Sequence, residues 1–181
     1  MLEEVNIKEL NAKGMRFGII ASKFNATYVD SMAEAALEVL RKAGADETEM
    51  FRVPGAYEIP VVVGHLLRKA NERFSALICL GVVLRGETTH AQHITESVCM
   101  ALAQAQMQYD VPVINGVYLF ENKQQADKRC MDPAHNRGIE LANTAIEMGR
   151  LLLRRCVPDK VFSFERKGID IPADVAQLAR A

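Results

Sequence analysis

The chain has 181 residues, of which 49% are hydrophobic and 25% are charged, and its 22 basic and 23 acidic side chains leave a net charge of −1. This length suits one ordinary domain with a substantial core, and the composition is typical of a soluble globular protein. The charge balance excludes a strongly basic nucleic-acid-binding protein, because such proteins carry an excess of Lys and Arg.

Signals for export, membrane insertion and metal binding are not found in the sequence. No apolar run approaches the roughly 20 residues of a membrane span, and residues 1–5 lack the positive start of a signal peptide. The cysteines Cys79, Cys99, Cys130 and Cys156 are widely spaced, which favours reduced thiols over a disulfide framework or a zinc site. We therefore expect a cytoplasmic protein with no metal and no membrane or nucleic-acid partner.

The chain opens with a predicted arm, strand and helix. Residues 1–14 are polar and suggest an extended arm, and the apolar run 16–21 predicts a buried first strand. The helix that follows has apolar residues at three- and four-residue spacing. Thr27 and Asp30 are its predicted capping pair, and Gly44 is its predicted stop.

A second strand and helix follow. Residues 50–53 predict a short strand that Pro54-Gly55 ends. Pro60 suits the first position of the next helix, because a proline there loses no helical hydrogen bond. Tyr57 and Glu58 should therefore lie in the turn between this strand and this helix.

The centre of the chain carries the most informative pattern. The near-continuous apolar run 76–84 predicts a third strand that is buried on both faces, and it ends abruptly at Arg85-Gly86. A helical pattern begins at about His90, where Thr89 and Gln92 have the spacing of a capping box. Ligands bind outside the carboxyl ends of parallel strands, and the free N–H groups of a helix start favour an anion. We therefore expect the active site at this junction.

The last part of the chain predicts a fourth strand over 111–118, a short helix over 123–129 and a long helix over 136–155. The residues of the long helix that should face the core are Ile139, Ala142, Ile146 and Leu153. This alternation predicts an α/β fold, a three-layer sandwich around a doubly wound, four-stranded parallel sheet of flavodoxin-like type. We expect one domain over residues 1–156, followed by a tail over 157–181.

Three groups of polar and aromatic residues follow the first three strands and should meet at one edge of the sheet. They are Phe24 and Asn25, then Ala56, Tyr57 and Glu58, then the segment from Gly86 to His90. Together they offer an aromatic face, a carboxylate for hydroxyl groups, an anion site and a titratable base. This combination suits a planar heterocycle carrying a polyol, with a phosphorylated second substrate.

The sequence resembles the 6,7-dimethyl-8-ribityllumazine synthase family, also called the riboflavin synthase beta-chain family. The matching motifs, in order over about residues 15–155, are Phe24-Asn25, Val53-Pro54-Gly55-Ala56-Tyr57-Glu58-Ile59-Pro60, Gly81-Val82-Val83-Leu84-Arg85-Gly86-Glu87-Thr88-Thr89-His90, Asn122-x-x-Gln125-Ala126-x-x-x-Arg129 and Asn136-Arg137-Gly138. The resemblance implies a transferase of riboflavin biosynthesis that condenses 5-amino-6-(D-ribitylamino)uracil with 3,4-dihydroxy-2-butanone 4-phosphate, releasing phosphate and water. It implies no metal, no organic cofactor, and a site between neighbouring subunits of a pentamer.

For the pyrimidine substrate, the resemblance assigns binding residues by position. Phe24 should stack on the uracil ring, and the Glu58 carboxylate should bind ribityl hydroxyl groups. The backbone that should hold the pyrimidine and the ribityl chain belongs to Ala56, Tyr57, Glu58, Val82, Val83 and Leu84. Asn115 stands where the family usually has an aromatic residue from the neighbouring subunit. Leu119-Phe120 replaces a common pair of threonines, and Phe120 is a candidate for the missing aromatic surface.

For the phosphate and for proton transfer, the resemblance assigns four residues. The backbone N–H groups of Glu87 and Thr88 should hold the phosphate. Arg129 should arrive from the adjacent subunit, since a guanidinium fork matches phosphate geometry. His90 should be the acid/base catalyst, because imidazole titrates near neutrality. His93, one helical turn further on, is expected to have a structural role or to support the site without contacting the substrate.

The departures at Asn115 and Leu119-Phe120 leave two alternatives open: a catalytically weak homologue that binds a flavin or a lumazine, and a shell protein whose site is inactive. Family members form pentamers, decamers or sixty-subunit shells. No extra residues separate Arg129 from Asn136, as in the shell-forming members, so we expect a sixty-subunit shell, with a free pentamer next. The expected partners are the small-molecule substrates and further copies of the chain, and a riboflavin synthase is a candidate.

Overall fold

The computed structural model describes residues 10–70 and 74–155, which fold into four strands and the helices around them. The strands are β1 (Arg16–Ser22), β2 (Glu47–Val53), β3 (Ala76–Leu84) and β4 (Val113–Phe120). The helices are α1 (Ala26–Lys42), α2 (Ile59–Ala70), α3 (His90–Tyr109), α4 (Lys123–Ala126) and α5 (Arg137–Arg155). A short 3₁₀ helix, Ala56–Glu58, precedes α2, and a π-helical turn, Asp127–Met131, continues α4.

The sheet has the strand order β2-β1-β3-β4, and every neighbouring pair is parallel. This confirms the predicted α/β class and the four-stranded parallel sheet. β1 and β3 are the central strands, and nearly all of their side chains are buried because helices cover both faces. The edge strand β2 is longer than predicted, because its first residues are polar and half-exposed and so carry no apolar signal.

Two apolar layers hold the helices against the sheet. On one face α1 and α5 pack against the sheet through Val29, Met32, Ala36, Ala142 and Ile146. On the other face α2 and α3 do so through Ile59, Val63, Leu67, Val98 and Leu102. Each layer contains fully buried β-branched and aliphatic side chains, whose removal from water is the main favourable contribution to folding.

Only half of the α5 residues that were predicted to face the core do so. Ala142 and Ile146 are buried as expected, but Ile139 is 36% exposed and Leu153 is 48% exposed. The contact stripe of this helix instead includes Gly138, where an added Cβ atom would lie 2.0 Å from the Met32 carbonyl oxygen of α1. A glycine contact contributes no apolar side chain, so hydrophobic periodicity alone could not locate this stripe.

Of the two predicted helix caps, Thr27 is wrong, whereas Thr89 is the N-cap residue of α3 as predicted but lacks the side-chain bond of a capping box. α1 begins directly after Asn25, whose backbone is left-handed with φ 54°, and Thr27 lies inside the first turn. α3 begins at His90 as predicted, but Thr89 makes no side-chain capping bond because its backbone is not extended. The His90 N–H instead donates to the Thr88 hydroxyl at 3.4 Å.

The predicted arm and tail fall largely outside the described residues. Residues 157–181 and the first nine residues are not described, so the proposed domain limits stay predictions. At the end of the arm, Ala12 is buried and its N–H donates to the Ala43 carbonyl at 2.7 Å. Within residues 10–70 and 74–155, no helix combines the length and apolarity that a membrane crossing requires.

Candidate active site

A cavity of about 770 Å³ opens where β1, β2 and β3 end, at the junction that the sequence analysis selected. The predicted substrate and catalytic residues that line it are Phe24, Ala56, Tyr57, Glu58, Val82, Val83, Leu84 and His90. The strand-end residue Asn25 lines it too, and the lining residues that the analysis did not single out are Gly55, Ile94 and Ser97. The parallel strands thus bring together residues that are widely separated in the sequence.

The loop after β1 presents an aromatic ring at the mouth of the cavity. The Phe24 side chain is 69% exposed, so it is not part of the core. Its backbone N–H donates to the Pro54 carbonyl at 3.1 Å, which ties the loop to the end of β2. The Asn25 Nδ2 atom donates to the Val82 carbonyl at 2.8 Å, which ties the same loop to β3.

The loop after β2 places a carboxylate beside that ring. Glu58 Oε2 accepts the Gly55 N–H at 2.8 Å, which fixes the side chain over the 3₁₀ helix and leaves its second oxygen able to accept a ligand hydroxyl. A Cβ atom on Gly55 would lie 2.9 Å from Glu58 Oε2 and 3.0 Å from the Phe24 ring. Glycine at this position therefore leaves room for both side chains, and a larger residue would displace one of them.

The first turns of α3 form the opposite wall of the cavity. His90, His93 and Ser97 line it from one side of the helix. His93 was expected to have a structural or a supporting role, and its exposed side chain on the cavity wall argues against a purely structural one. The three-residue spacing from His90 is the sequence signal that could have identified it.

Glu87 and Thr88 do not line the cavity, although they belong to the loop that leads into it. Both side chains are exposed. The loop is attached to the end of β4, because the Arg85 N–H donates to the Phe120 carbonyl at 2.9 Å and the guanidinium pairs with Glu121. Glu87 and Thr88 therefore lie on an anchored segment just before the helix start.

Asn115 and Arg129 lie elsewhere on the chain. Asn115 is exposed on β4, where its Nδ2 atom donates to Cys99 Sγ at 3.0 Å and its oxygen accepts the Val117 N–H at 3.0 Å. Arg129 is exposed in the π-helical turn. Neither residue is among those that line the cavity of its own chain.

Phe120 does not supply the missing aromatic surface. Its side chain is buried in the layer formed with α1 and α5, and its ring stacks on Tyr118 with 5.8 Å between the centroids. Side chains alternate along a strand, so Phe120 faces the opposite side of the sheet from Asn115. The hypothesis that Phe120 replaces the aromatic wall is therefore wrong.

In the described parts of the chain, no three His, Cys, Asp or Glu side chains are placed so that they could bind a metal ion together. Burial raises the pKa of the Cys130 thiol to about 11, so this side chain stays protonated at neutral pH. The polar side-chain groups that line the cavity are imidazole, carboxylate, hydroxyl and amide groups.

Comparison with known proteins identifies the family of this chain. A family model described as 6,7-dimethyl-8-ribityllumazine synthase matches residues 14–153. A protein of that name from Syntrophus aciditrophicus (strain SB) is 40% identical over 145 residues, covering 79% of this chain and 93% of its own. Another, from Clostridium kluyveri, is 36% identical over 146 residues, covering 80% of this chain and 94% of its own. The chain therefore belongs to the 6,7-dimethyl-8-ribityllumazine synthase family.

Proposed function

We propose that the chain condenses 5-amino-6-(D-ribitylamino)uracil with 3,4-dihydroxy-2-butanone 4-phosphate to give 6,7-dimethyl-8-ribityllumazine, phosphate and water. The observation that carries this proposal is the cavity itself, in which three separate strand ends contribute an aromatic ring, a carboxylate and an imidazole. The Phe24 ring would stack on the pyrimidine, and Glu58 would accept hydrogen bonds from the ribityl hydroxyls. His90, at the start of α3, would transfer protons during imine formation and phosphate loss.

The phosphate would bind at the loop that precedes α3. Glu87 and Thr88 would offer their backbone N–H groups, and the free N–H groups of the helix start favour an anion. Arg129 would complete the site from a neighbouring subunit, which is supported by its exposure and by its position outside the cavity of its own chain. Asn115 would reach the pyrimidine side of a neighbouring cavity in the same way.

The active form would then be a pentamer, and we propose that pentamers associate into a sixty-subunit shell in the cytoplasm. Large apolar side chains that are exposed on a single chain support an oligomer, and the most exposed of those outside the cavity include Val61, Met100, Met107 and Leu151. Light scattering should report a mass far above the roughly 100 kDa of five chains of 20.1 kDa. A riboflavin synthase, which would consume the lumazine product, is the candidate partner.

The function is tested by mixing the purified protein with both substrates and following the absorbance of the lumazine product. Omitting either substrate is the control, and release of inorganic phosphate should match product formation one to one. Tight flavin binding without turnover would instead identify a catalytically weak binding homologue. An assembled shell that shows neither turnover nor flavin binding would identify a protein whose role is the shell itself.

Replacing Arg129 with alanine should raise KM for the butanone phosphate by about 10- to 100-fold, because a hydrogen bond to a charged group contributes roughly 1.5–3 kcal/mol. KM for the uracil substrate should change little. Lys128 lies in the same turn and is also exposed, so Lys128→Ala is the matched control for lost positive charge. Equal effects of the two substitutions would contradict the assignment of Arg129.

A further inference from the structure

A polar network is buried between α1 and α5, at the base of the turn that carries Arg129. Asn136 is only 7% exposed, and its Nδ2 atom donates to the Cys130 carbonyl at 2.6 Å and to the Ser31 hydroxyl at 3.1 Å. Its oxygen accepts the Gly138 N–H at 2.9 Å. Both ends of this buried amide are therefore satisfied, as a stable buried polar group requires.

The Cys130 carbonyl is the centre of this network, because two side chains donate to it. Besides Asn136, the Ser31 hydroxyl donates to the same oxygen at 2.7 Å. Carbonyls at the end of a helical turn lack intrahelical partners and need others. Ser31 from α1 and Asn136 from the start of α5 thus hold this end of the π-helical turn from two different elements.

The first residue of the turn also lies near α1. Tyr28 precedes Ser31 by three residues and so lies on the same helix face. Burial and the nearby Asp127 carboxylate raise the pKa of the Tyr28 hydroxyl. The Cys130 side chain points into the core, and Arg129 next to it is exposed.

A π-helical turn contains one residue more than an α-helical turn, and such turns are frequent at functional sites. If the turn relaxed to an α-helix, the hydrogen-bonding register would shift by one residue. The side chains that follow the shift would then rotate by about 100° around the helix axis relative to those before it. The direction of the Arg129 guanidinium therefore depends on what keeps the turn in the π form. Two side-chain hydrogen bonds to the Cys130 carbonyl, from Ser31 at 2.7 Å and from Asn136 at 2.6 Å, constrain the turn from neighbouring elements.

We propose that Ser31 and Asn136 are positioning residues for Arg129, which act by holding the π-helical turn so that the guanidinium points towards the phosphate of the neighbouring subunit's substrate. This inference rests on the proposed function, in which Arg129 binds that phosphate. Neither Ser31 nor Asn136 touches the substrate. Their effect on the reaction would pass entirely through the orientation of Arg129.

The main test is Ser31→Ala in the assembled protein, with steady-state kinetics measured for each substrate separately. Loss of one hydrogen bond to the Cys130 carbonyl should raise KM for the butanone phosphate about fivefold. The values of kcat and of KM for the uracil substrate should stay within about twofold, since neither depends on this contact. Ser31→Thr keeps a hydroxyl group and should restore most of the wild-type KM.

The matched control is Thr144→Ala. Thr144 also uses a hydroxyl to donate to a backbone carbonyl, that of Glu140 at 2.9 Å, but on the exposed side of α5. Its removal should leave both KM values unchanged. Asn136→Asp keeps an oxygen for the Gly138 N–H but loses the donors to the Cys130 carbonyl, and it should reproduce the effect of Ser31→Ala.

A double-mutant cycle decides whether Ser31 acts through Arg129. In the Arg129→Ala background, Ser31→Ala should cause no further rise in KM for the butanone phosphate, because no guanidinium remains to be oriented. An equal rise in both backgrounds, or an unchanged KM for Ser31→Ala alone, would overturn the positioning role. If Arg129→Ala itself leaves this KM unchanged, the proposed role of Arg129 falls, and the positioning role falls with it.

Discussion

Replacing His90 with alanine should lower kcat by about 10²-fold and leave a folded, assembled protein. General acid–base catalysis by one side chain contributes roughly 10²–10⁴-fold, and we expect the low end of that range. Holding two substrates in contact within one cavity can itself supply a large part of the acceleration. The side chain is exposed on the cavity wall, so its removal leaves no buried void.

The measurement is kcat with both substrates saturating, compared with that of His65→Ala. His65 is also an exposed histidine, but it lies on α2 and does not line the cavity, so its removal should have no effect. Complete loss of turnover in assembled His90→Ala would show that positioning contributes less than we expect. An unchanged kcat would mean that another group transfers the proton. A loss of kcat on adding His93→Gln to His90→Ala would then identify the His93 imidazole as that group.

The largest expected effect on stability comes from Gly138→Ala, which should lower the free energy of unfolding by about 3 kcal/mol or more. The added Cβ atom would meet the Met32 carbonyl oxygen at 2.0 Å and the Met32 Cα atom at 2.9 Å. Both atoms belong to the backbone of α1, so no side-chain rotation can remove the overlap. α5 would have to move away from α1, which would open the buried layer between them.

Gly64→Ala is the matched control, because it makes the same change inside a helix that has room for it. The nearest atom to an added Cβ at Gly64 is the Arg68 guanidinium at 3.4 Å, so α2 should gain about 0.5–1 kcal/mol from the better helix propensity of alanine. Urea unfolding at one fixed chain concentration measures both variants. A Gly138→Ala protein as stable as wild type would contradict the close approach of α1 and α5.

The strands, and the edge of the sheet at which the cavity lies, were predictable because they follow from hydrophobic patterns in short stretches of sequence. The buried run 76–84 coincides with β3, and the polar break after it coincides with the start of α3 at His90. Parallel strands end on one edge, so Phe24 and Glu58 could be placed near His90 without coordinates. Their chemical roles came from the family resemblance rather than from the pattern.

What the sequence could not predict depends on contacts between distant elements. The Asn25 backbone is left-handed because its side chain reaches the end of β3, and no local spacing encodes that bond. Phe120 is an aromatic residue at the end of β4, but strand alternation turns its side chain into the core. The Cys130 carbonyl in the π-helical turn accepts a hydrogen bond from Ser31, which lies 99 residues earlier in the chain.

The left-handed turn at Asn25 fixes the backbone of the loop that carries the Phe24 ring. In the described part of the chain, Asn25 and Asp110 are the non-glycine residues with positive φ, a conformation that is tolerated only when other contacts stabilise it. Here the Phe24 N–H bonds the Pro54 carbonyl and the Asn25 side chain bonds the Val82 carbonyl of β3, so the loop backbone is held at two points. A ligand that binds against this loop would therefore not have to order its backbone first, which removes one cost of binding.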